Sequence, residues 1–320
     1  MPLLVGIDEA GYGPLLGPLV VAATVWRVPP PAAEVDFWEQ LNTAVSRAAS
    51  RRDSRLPVND SKKIYDRHKG IATLERTVLA FAAALDLPHA SLGEFVDALG
   101  PPLPPEARHL PWYGDLAQPL PLDATRSAHA AAATRLRQAM QTSNHQAIGL
   151  MAQLVTESAY NDRVHHTHNK AAVLLEQVLR LILRCTAATG DQDVCVHVDR
   201  LGGRQDYRPV LQEAFPDRHL HIEEMSDERS RYRLSTARSD WYIDFVVDAD
   251  QHHLPVALAS MLAKYVREVV MTRLNAFWQG LLPGLKPTAG YYKDALRYLA
   301  DIEPLLGQAG LGRGDFVRER

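Results

Sequence analysis

Carboxylates stand where apolar runs end in this chain, and that placement suits a hard divalent cation. In Gly6-Ile7-Asp8-Glu9-Ala10-Gly11-Tyr12-Gly13-Pro14, the pair Asp8 and Glu9 follows an apolar run and precedes a glycine-punctuated turn. In DVCVHVDR the alternating Val194, Val196 and Val198 deliver Asp199, and Phe245-Val246-Val247 lead to Asp248 and Asp250. Mg2+ and Mn2+ take oxygen ligands and keep room for water and phosphate oxygens. Two such ions, roughly 4 Å apart, activate water and stabilise the leaving oxygen of a phosphodiester. Taken alone, Asp8 and Glu9 also fit an acidic surface turn. Two further strand ends with acids favour the metal reading.

The elements that must position these acids follow from the flanking residues. Leu3, Leu4, Val5 and Ile7 read as a buried strand, the valines before Asp199 as a second and Phe245 to Val247 as a third. Neighbours on a strand point to opposite faces, so Asp8 and Glu9 share a site only where the chain bends or ends, which Gly11, Gly13 and Gly17 permit. After Asp250, LPVALASMLAKYVREVVM reads as a helix. It carries Ser260, Lys264 and Arg267 on one face and Leu258, Leu262, Val266 and Val269 around the others. Lys264 and Arg267 are placed to meet a nucleic-acid backbone, with a Lys264–Glu268 pair as the alternative. The N-terminus of this helix is expected to favour phosphate near the site.

With these residues in view, the chain resembles the type 2 ribonucleases H, the ribonuclease HII family. The resemblance rests on GIDEAGYGPLLGPLVVAA at the start, NDSKKI at 59–64, HVD at 197–199 and VDADQHHLPVALASMLAKYVRE at 247–268. It implies an α/β fold with a ribonuclease H-like mixed central sheet flanked by helices. The implied reaction is hydrolysis of the RNA strand of RNA–DNA hybrids and of ribonucleotides embedded in DNA, at a two-ion Mg2+ or Mn2+ site, giving 5′-phosphate and 3′-hydroxyl ends. Carried over by motif, the metal-binding catalytic acids are Asp8, Glu9, Asp199 and Asp250. Asp250 is preferred to Asp248 for its spacing to the SMLAK run. Substrate binding falls by the same route to Gly11, Tyr12, Gly13, Lys62, Lys63, Ser260, Lys264 and Tyr291, with Tyr292 the rival of Tyr291 for packing on a sugar. Two departures concern substrate choice. Tyr12 stands between the glycines where the family has arginine, and Arg200 follows Asp199 where the family usually has glycine. A diverged nuclease for another structured nucleic acid and a non-catalytic nucleic-acid-binding protein are the alternative functions.

The resemblance leaves parts of the chain uncovered. A catalytic domain over 1–277 is expected, interrupted by an insertion at about 65–166 and a smaller one at about 201–240, with a helical extension over 278–320. The first insertion contains the proline-rich LGPPLPPEARHLPWYGDLAQPLPLD and reads as an irregular, partly helical lobe. In the second, the alternation of HLHIEE and YRLSTARSDWYIDF suggests a hairpin running into the Asp250 strand.

Composition fits an enzyme expected to be cytoplasmic and monomeric. The chain has 320 residues, 46% of them hydrophobic, enough for a large core. No apolar run is long enough to span a membrane, and the N-terminal apolar residues lead into the acid motif instead of a cleavable signal. Cys185 and Cys195 lie in apolar sequence and read as core filler. A formal charge of −3 obliges a local basic patch to hold nucleic acid. Arg47, Arg51, Arg52, Arg55, Lys62 and Lys63 are the candidates, with a solvated loop as the alternative for the arginines. His165, His166, His168, His252 and His253 lack the spacing of a zinc motif, and His197, on the same strand face as Asp199, reads as a core position with a proton shuttle lining the active site as the alternative.

Overall fold

A computed structural model describes residues 1–32, 35–48, 53–65 and 70–319. Its centre is a seven-stranded mixed sheet of β1 (Leu3–Ala10), β2 (Leu19–Arg27), β3 (Gln146–Val155), β4 (Val194–Asp199), β5 (His219–Met225), β6 (Arg229–Ser235) and β7 (Asp240–Val246), in the order β3-β2-β1-β4-β7-β6-β5. The three central strands β1, β4 and β7 are parallel, and the outer pairs are antiparallel. Helices cover both faces. A mixed central sheet flanked by helices is the architecture that the sequence led us to expect.

Alternation along β1 feeds two cores. Leu4 faces one layer and Leu3, Val5 and Ile7 the other. The first layer is headed by α7 (Leu254–Leu281), with α2 (Ala72–Ala84) and α3 (Arg126–Ser143) outside it. The second is α5 (Lys170–Thr186), whose Val173, Leu174, Val178 and Leu181 pack under the sheet. Gly6 has no side chain because the backbone of α7 occupies its place: a Cβ there would lie 2.2 Å from the Pro255 carbonyl carbon. The Thr24 hydroxyl donates to Pro255 O at 2.8 Å, pinning the same turn from β2. Pro255 in the first turn of α7 costs no hydrogen bond.

Two expectations about organisation change. Residues 146–155, inside the segment read as an inserted lobe, form β3 and pair with β2 along its length, so this part of 65–166 belongs to the sheet. Its sequence QAIGLMAQLV is rich in helix formers, and tertiary pairing overrides that propensity. The boundary expected at 277 falls inside α7, whose Trp278 is buried with Tyr298, Ile302 and Phe316. Helix α8 (Tyr292–Ile302) therefore shares a core with the helix it follows. The 201–240 segment forms the hairpin β5–β6 that leads into β7, in line with its alternation.

Candidate active site

The acids converge at the carboxyl ends of the parallel strands. The β1–β4 ladder ends at Ile7↔Val198, while β4–β7 continues to Asp199↔Val246, so the sheet parts beyond Ile7. Asp8 and Asp199 flank this opening. By alternation Asp8 lies on the Leu4 face and Asp199 on that of Cys195, the face covered by α7. Asp250 reaches the same place from α6 (Ala249–His252), one turn beyond β7. Glu9 has the opposite parity and joins because the strand ends one residue later. The resulting cleft, about 320 Å³, is lined by the four acids and by every residue carried over for substrate binding except Lys63. A larger cleft of about 630 Å³ lies away from the acids, where Asp86, Glu94, Arg126 and Arg137 stand among small apolar side chains.

Packing carboxylates into this cleft shifts their titration upward. Asp8, 7% exposed, is held well above the usual carboxylate range by burial, then by Glu9 and Asp199, with a Ser260 hydrogen bond opposing. Glu9 rises to about 7 through burial and Asp199. Asp250 rises to about 7 through burial, Asp60 and Asp199. Asp199 is raised by burial, although the Ala249 N–H donates to its Oδ1 at 2.9 Å. Burial lowers Lys62, but Asp60, Asp250, Asp8 and Asp199 outweigh it and hold the ammonium above its ordinary value. A crowd of oxygens that resists its own ionisation fits a hard divalent cation, whose charge reverses the balance. Ser260 Oγ lies 3.1 Å from Ser61 Oγ beside the acids and adds hydroxyl oxygens to the donor set.

Asp60 is the acid that sequence reasoning missed. It is buried, caps the short helix α1 (Ser61–Ile64) by accepting from the Lys62 N–H at 2.9 Å, and hydrogen-bonds Asp250. The signal was present in NDSKKI, where only the lysines were singled out. Asp248 also lines the cleft but is exposed, in the left-handed region at φ 52°. Asp250, at 9% exposure, is the more deeply placed of the two.

No family model matches the chain, and no curated protein does. Solved structures similar to it include the PCNA:RNase HII complex from Archaeoglobus fulgidus, at 16% identity over 99% of this chain and 94% of that one, TM-score 0.45. Ribonuclease H2 from Pyrococcus horikoshii OT3 is similar at 15% identity over 99% and 92%, TM-score 0.47. Bst-RNase HIII in complex with Mn2+ is similar at 17% identity over 93% of this chain and 62% of that one, TM-score 0.43. Likeness at this level adds no weight to any functional reading, so function has to be read from the chain's own residues.

The turn after Glu9 is held from several sides. Gly11 takes φ +90°, and a Cβ there would meet Pro18 O at 2.4 Å, so the position requires glycine. Arg267, 1% exposed, donates to Leu16 O at 3.1 Å and Ala289 O at 3.0 Å. It is therefore a buried brace and does not reach a nucleic-acid backbone as expected; both bonds come from its Nη2, and its Nη1 lies 3.6 Å from Glu268. The Leu15 N–H donates to Gly290 O at 2.8 Å, which docks the start of α8 on the turn. Tyr291, 54% exposed, lines the cleft, and Tyr292 does not. Arg318 donates to Gly11 O and to Tyr12 O, the latter at 3.1 Å, with its guanidinium 3.8 Å over the Tyr160 ring.

Several charged residues serve the fold. Lys63 is exposed and points to Gln251 Oε1 at 3.2 Å, outside the cleft. Lys264 lines the cleft and pairs with Glu268 at 2.7 Å, the alternative the sequence held open. Arg200 turns away to the β5–β6 connection, where it donates to Asp227 O and, at 3.1 Å, to Ser226 O. Arg55 is bound by Asp53 at 2.8 Å, and Arg47 lies 3.5 Å over Trp38. Arg51 and Arg52 lie outside the described residues. The cleft is lined by the second and third turns of α7, at Ser260 and Lys264, and not by its first, so the N-terminus expected to favour phosphate is not part of the cleft wall.

His197 is a core residue. It lies 3.2 Å from Asp244, which also binds Arg229 at 2.6 Å, and stacks on His253 at 3.9 Å. Cys195, His197 and Asp244 lie close enough to hold a cation. Arg229 at 2.6 Å and Arg231 at 3.4 Å already supply Asp244 with positive charge, so we read the group as a buried ion-paired network.

Proposed function

We propose that this chain is a metal-dependent endonuclease of the type 2 ribonuclease H kind, which cuts the RNA strand of RNA–DNA hybrids and at single ribonucleotides embedded in DNA. One observation carries the reading: Asp8, Glu9, Asp199 and Asp250 meet at the ends of parallel strands beside a glycine turn and an exposed tyrosine. These carboxylate oxygens would hold Mg2+ or Mn2+. When bound, two such ions supply a nucleophile from water and neutralise the departing 3′-oxygen, leaving 5′-phosphate and 3′-hydroxyl ends.

The remaining residues bind and orient. Lys62 brings a cation to phosphate at the mouth of the acid cluster. The Gly11-Tyr12-Gly13 backbone approaches the ribose, as the family resemblance implies for this turn. The Tyr291 ring, free on one side, offers a face for the adjacent sugar. Tyr12 has no guanidinium to fork onto phosphate; its ring packs against the second core with Lys170 Nζ 5.4 Å away.

The test is cleavage, in Mg2+ or Mn2+, of three matched duplexes: DNA with one ribonucleotide, continuous RNA–DNA hybrid, and all-DNA. Cleavage confined to the two ribose-containing duplexes and lost in Asp8→Asn is expected. Failure on both would overturn the substrate assignment and redirect the search to other structured nucleic acids.

A further inference from the structure

The family's central arginine is missing from the Gly11-Tyr12-Gly13 turn, yet a guanidinium occupies its outer side. It comes from Arg318, separated from the turn by 307 residues of sequence. Arg318 is 3% exposed, so its placement is fixed by packing. The ring of Tyr160 stacks on it, and the Arg318 N–H donates to Leu15 O at 2.8 Å. Val317 bridges Leu16, and Asn161 on α4 (Glu157–Thr167) holds the same segment, its Nδ2 donating to Val317 O at 2.9 Å and its Oδ1 accepting from the Glu319 N–H at 2.8 Å. Both donors of the fork that contact the turn reach main-chain carbonyls, Gly11 O and Tyr12 O.

The consequence follows from peptide geometry. The Gly11–Tyr12 and Tyr12–Gly13 bonds are trans, so each carbonyl points opposite to the N–H of the same peptide plane. With both carbonyls drawn to Arg318, the Tyr12 and Gly13 N–H groups are turned the other way. Neither donates to a backbone acceptor among the described residues, and the cleft beside the acids is lined by these same residues. Arg318 itself does not line it. We propose that Arg318 is the positioning residue for ribose recognition: by fixing two carbonyls it aims two N–H donors at the 2′-hydroxyl beside the acids. An arginine supplied from the far end of the chain thus does the work of orienting the turn, and Tyr12 is left free of that role. The proposal rests on the ribonuclease reading above.

The experiment compares the unmodified protein with Arg318→Met and Arg318→Lys on the duplex with one ribonucleotide, under single turnover. Duplex affinity, the Mn2+-induced rise in melting temperature and the melting temperature itself are measured alongside. Arg318→Met is expected to lose about 10- to 100-fold in cleavage rate, the scale of a misplaced reacting group, while duplex affinity and the Mn2+ response stay within twofold. Arg318→Lys, with one ammonium for two carbonyls, should fall between the two. If Arg318→Met fails to fold, Arg318→Lys decides: a folded protein slowed several-fold supports the proposal. A rate equal to that of the unmodified protein in either folded variant overturns it, as does a loss of rate that only tracks lost stability or lost Mn2+ response. Absence of cleavage by the unmodified protein would instead count against the ribonuclease reading.

Discussion

At the scale of single residues, the site is a contest between burial and ionisation. Asp250 is buried, hydrogen-bonded to Asp60 and raised to about 7, whereas Asp248 is exposed on a left-handed turn. Asp250→Asn should therefore lower cleavage of a ribonucleotide-containing duplex by at least about 100-fold, the upper range for groups that only support a ligand. Asp248→Asn should change it by less than about tenfold. The reverse order, read by single-turnover rates, would exchange the two assignments. Asp8, Asp199 and Asp250 were legible in the sequence because an apolar strand announces each. Asp60 follows only the short run Leu56-Pro57-Val58 and sits on the cap of a four-residue helix, where the neighbouring lysines of NDSKKI drew the reading to themselves. Arg267 misled for a related reason: helical spacing shows which face it shares with Lys264, but not that the carbonyls of Leu16 and Ala289 wait there.

At the scale of elements, the contact between β1 and α7 sets the distance between acids on separate strands. Asp8 lies two residues beyond Gly6, and Asp250 five residues before Pro255, whose backbone fills the space where a Gly6 side chain would stand. A methyl at Gly6 has only main chain to displace. Gly6→Ala should cost about 1–3 kcal/mol as an overpacked core site, measured by urea unfolding. It should also weaken Mn2+ binding by moving α6 and α7 away from Asp8. Unchanged stability and Mn2+ affinity would show that the contact does not set the site. The acid-bearing strands were readable from their valine, isoleucine and phenylalanine content. The edge strand β3 was not, since Leu150, Met151, Ala152 and Gln153 suit a helix equally and only pairing with β2 makes them a strand.

At the scale of the whole molecule, a chain of net charge −3 gathers acids at one cleft and spends most nearby arginines on its own structure. Arg55, Arg200, Arg267 and Arg318 all bind protein groups, leaving Lys62 as the cation most directly set among the acids. That economy was invisible in the composition, because it depends on which carbonyls and carboxylates the fold brings near each guanidinium. The acids also couple stability to pH. Glu9 and Asp250 move from their ordinary carboxylate values of 4.5 and 3.8 up to about 7 in the fold, so between roughly pH 4 and 7 the native chain binds more protons than the unfolded one. Stability then falls as pH rises through that window. A divalent cation, which binds the deprotonated acids of the folded chain, should restore it, and more strongly at higher pH. The most direct test is the melting temperature from pH 5 to 8 with and without Mn2+, for the unmodified protein and Asp8→Asn. The metal-free protein should lose stability toward pH 8, Mn2+ should recover it with an effect that grows with pH, and Asp8→Asn should melt higher without metal and respond little to Mn2+. No Mn2+ response at any pH, or an equal response in Asp8→Asn, would contradict the assignment of these acids as a cation site.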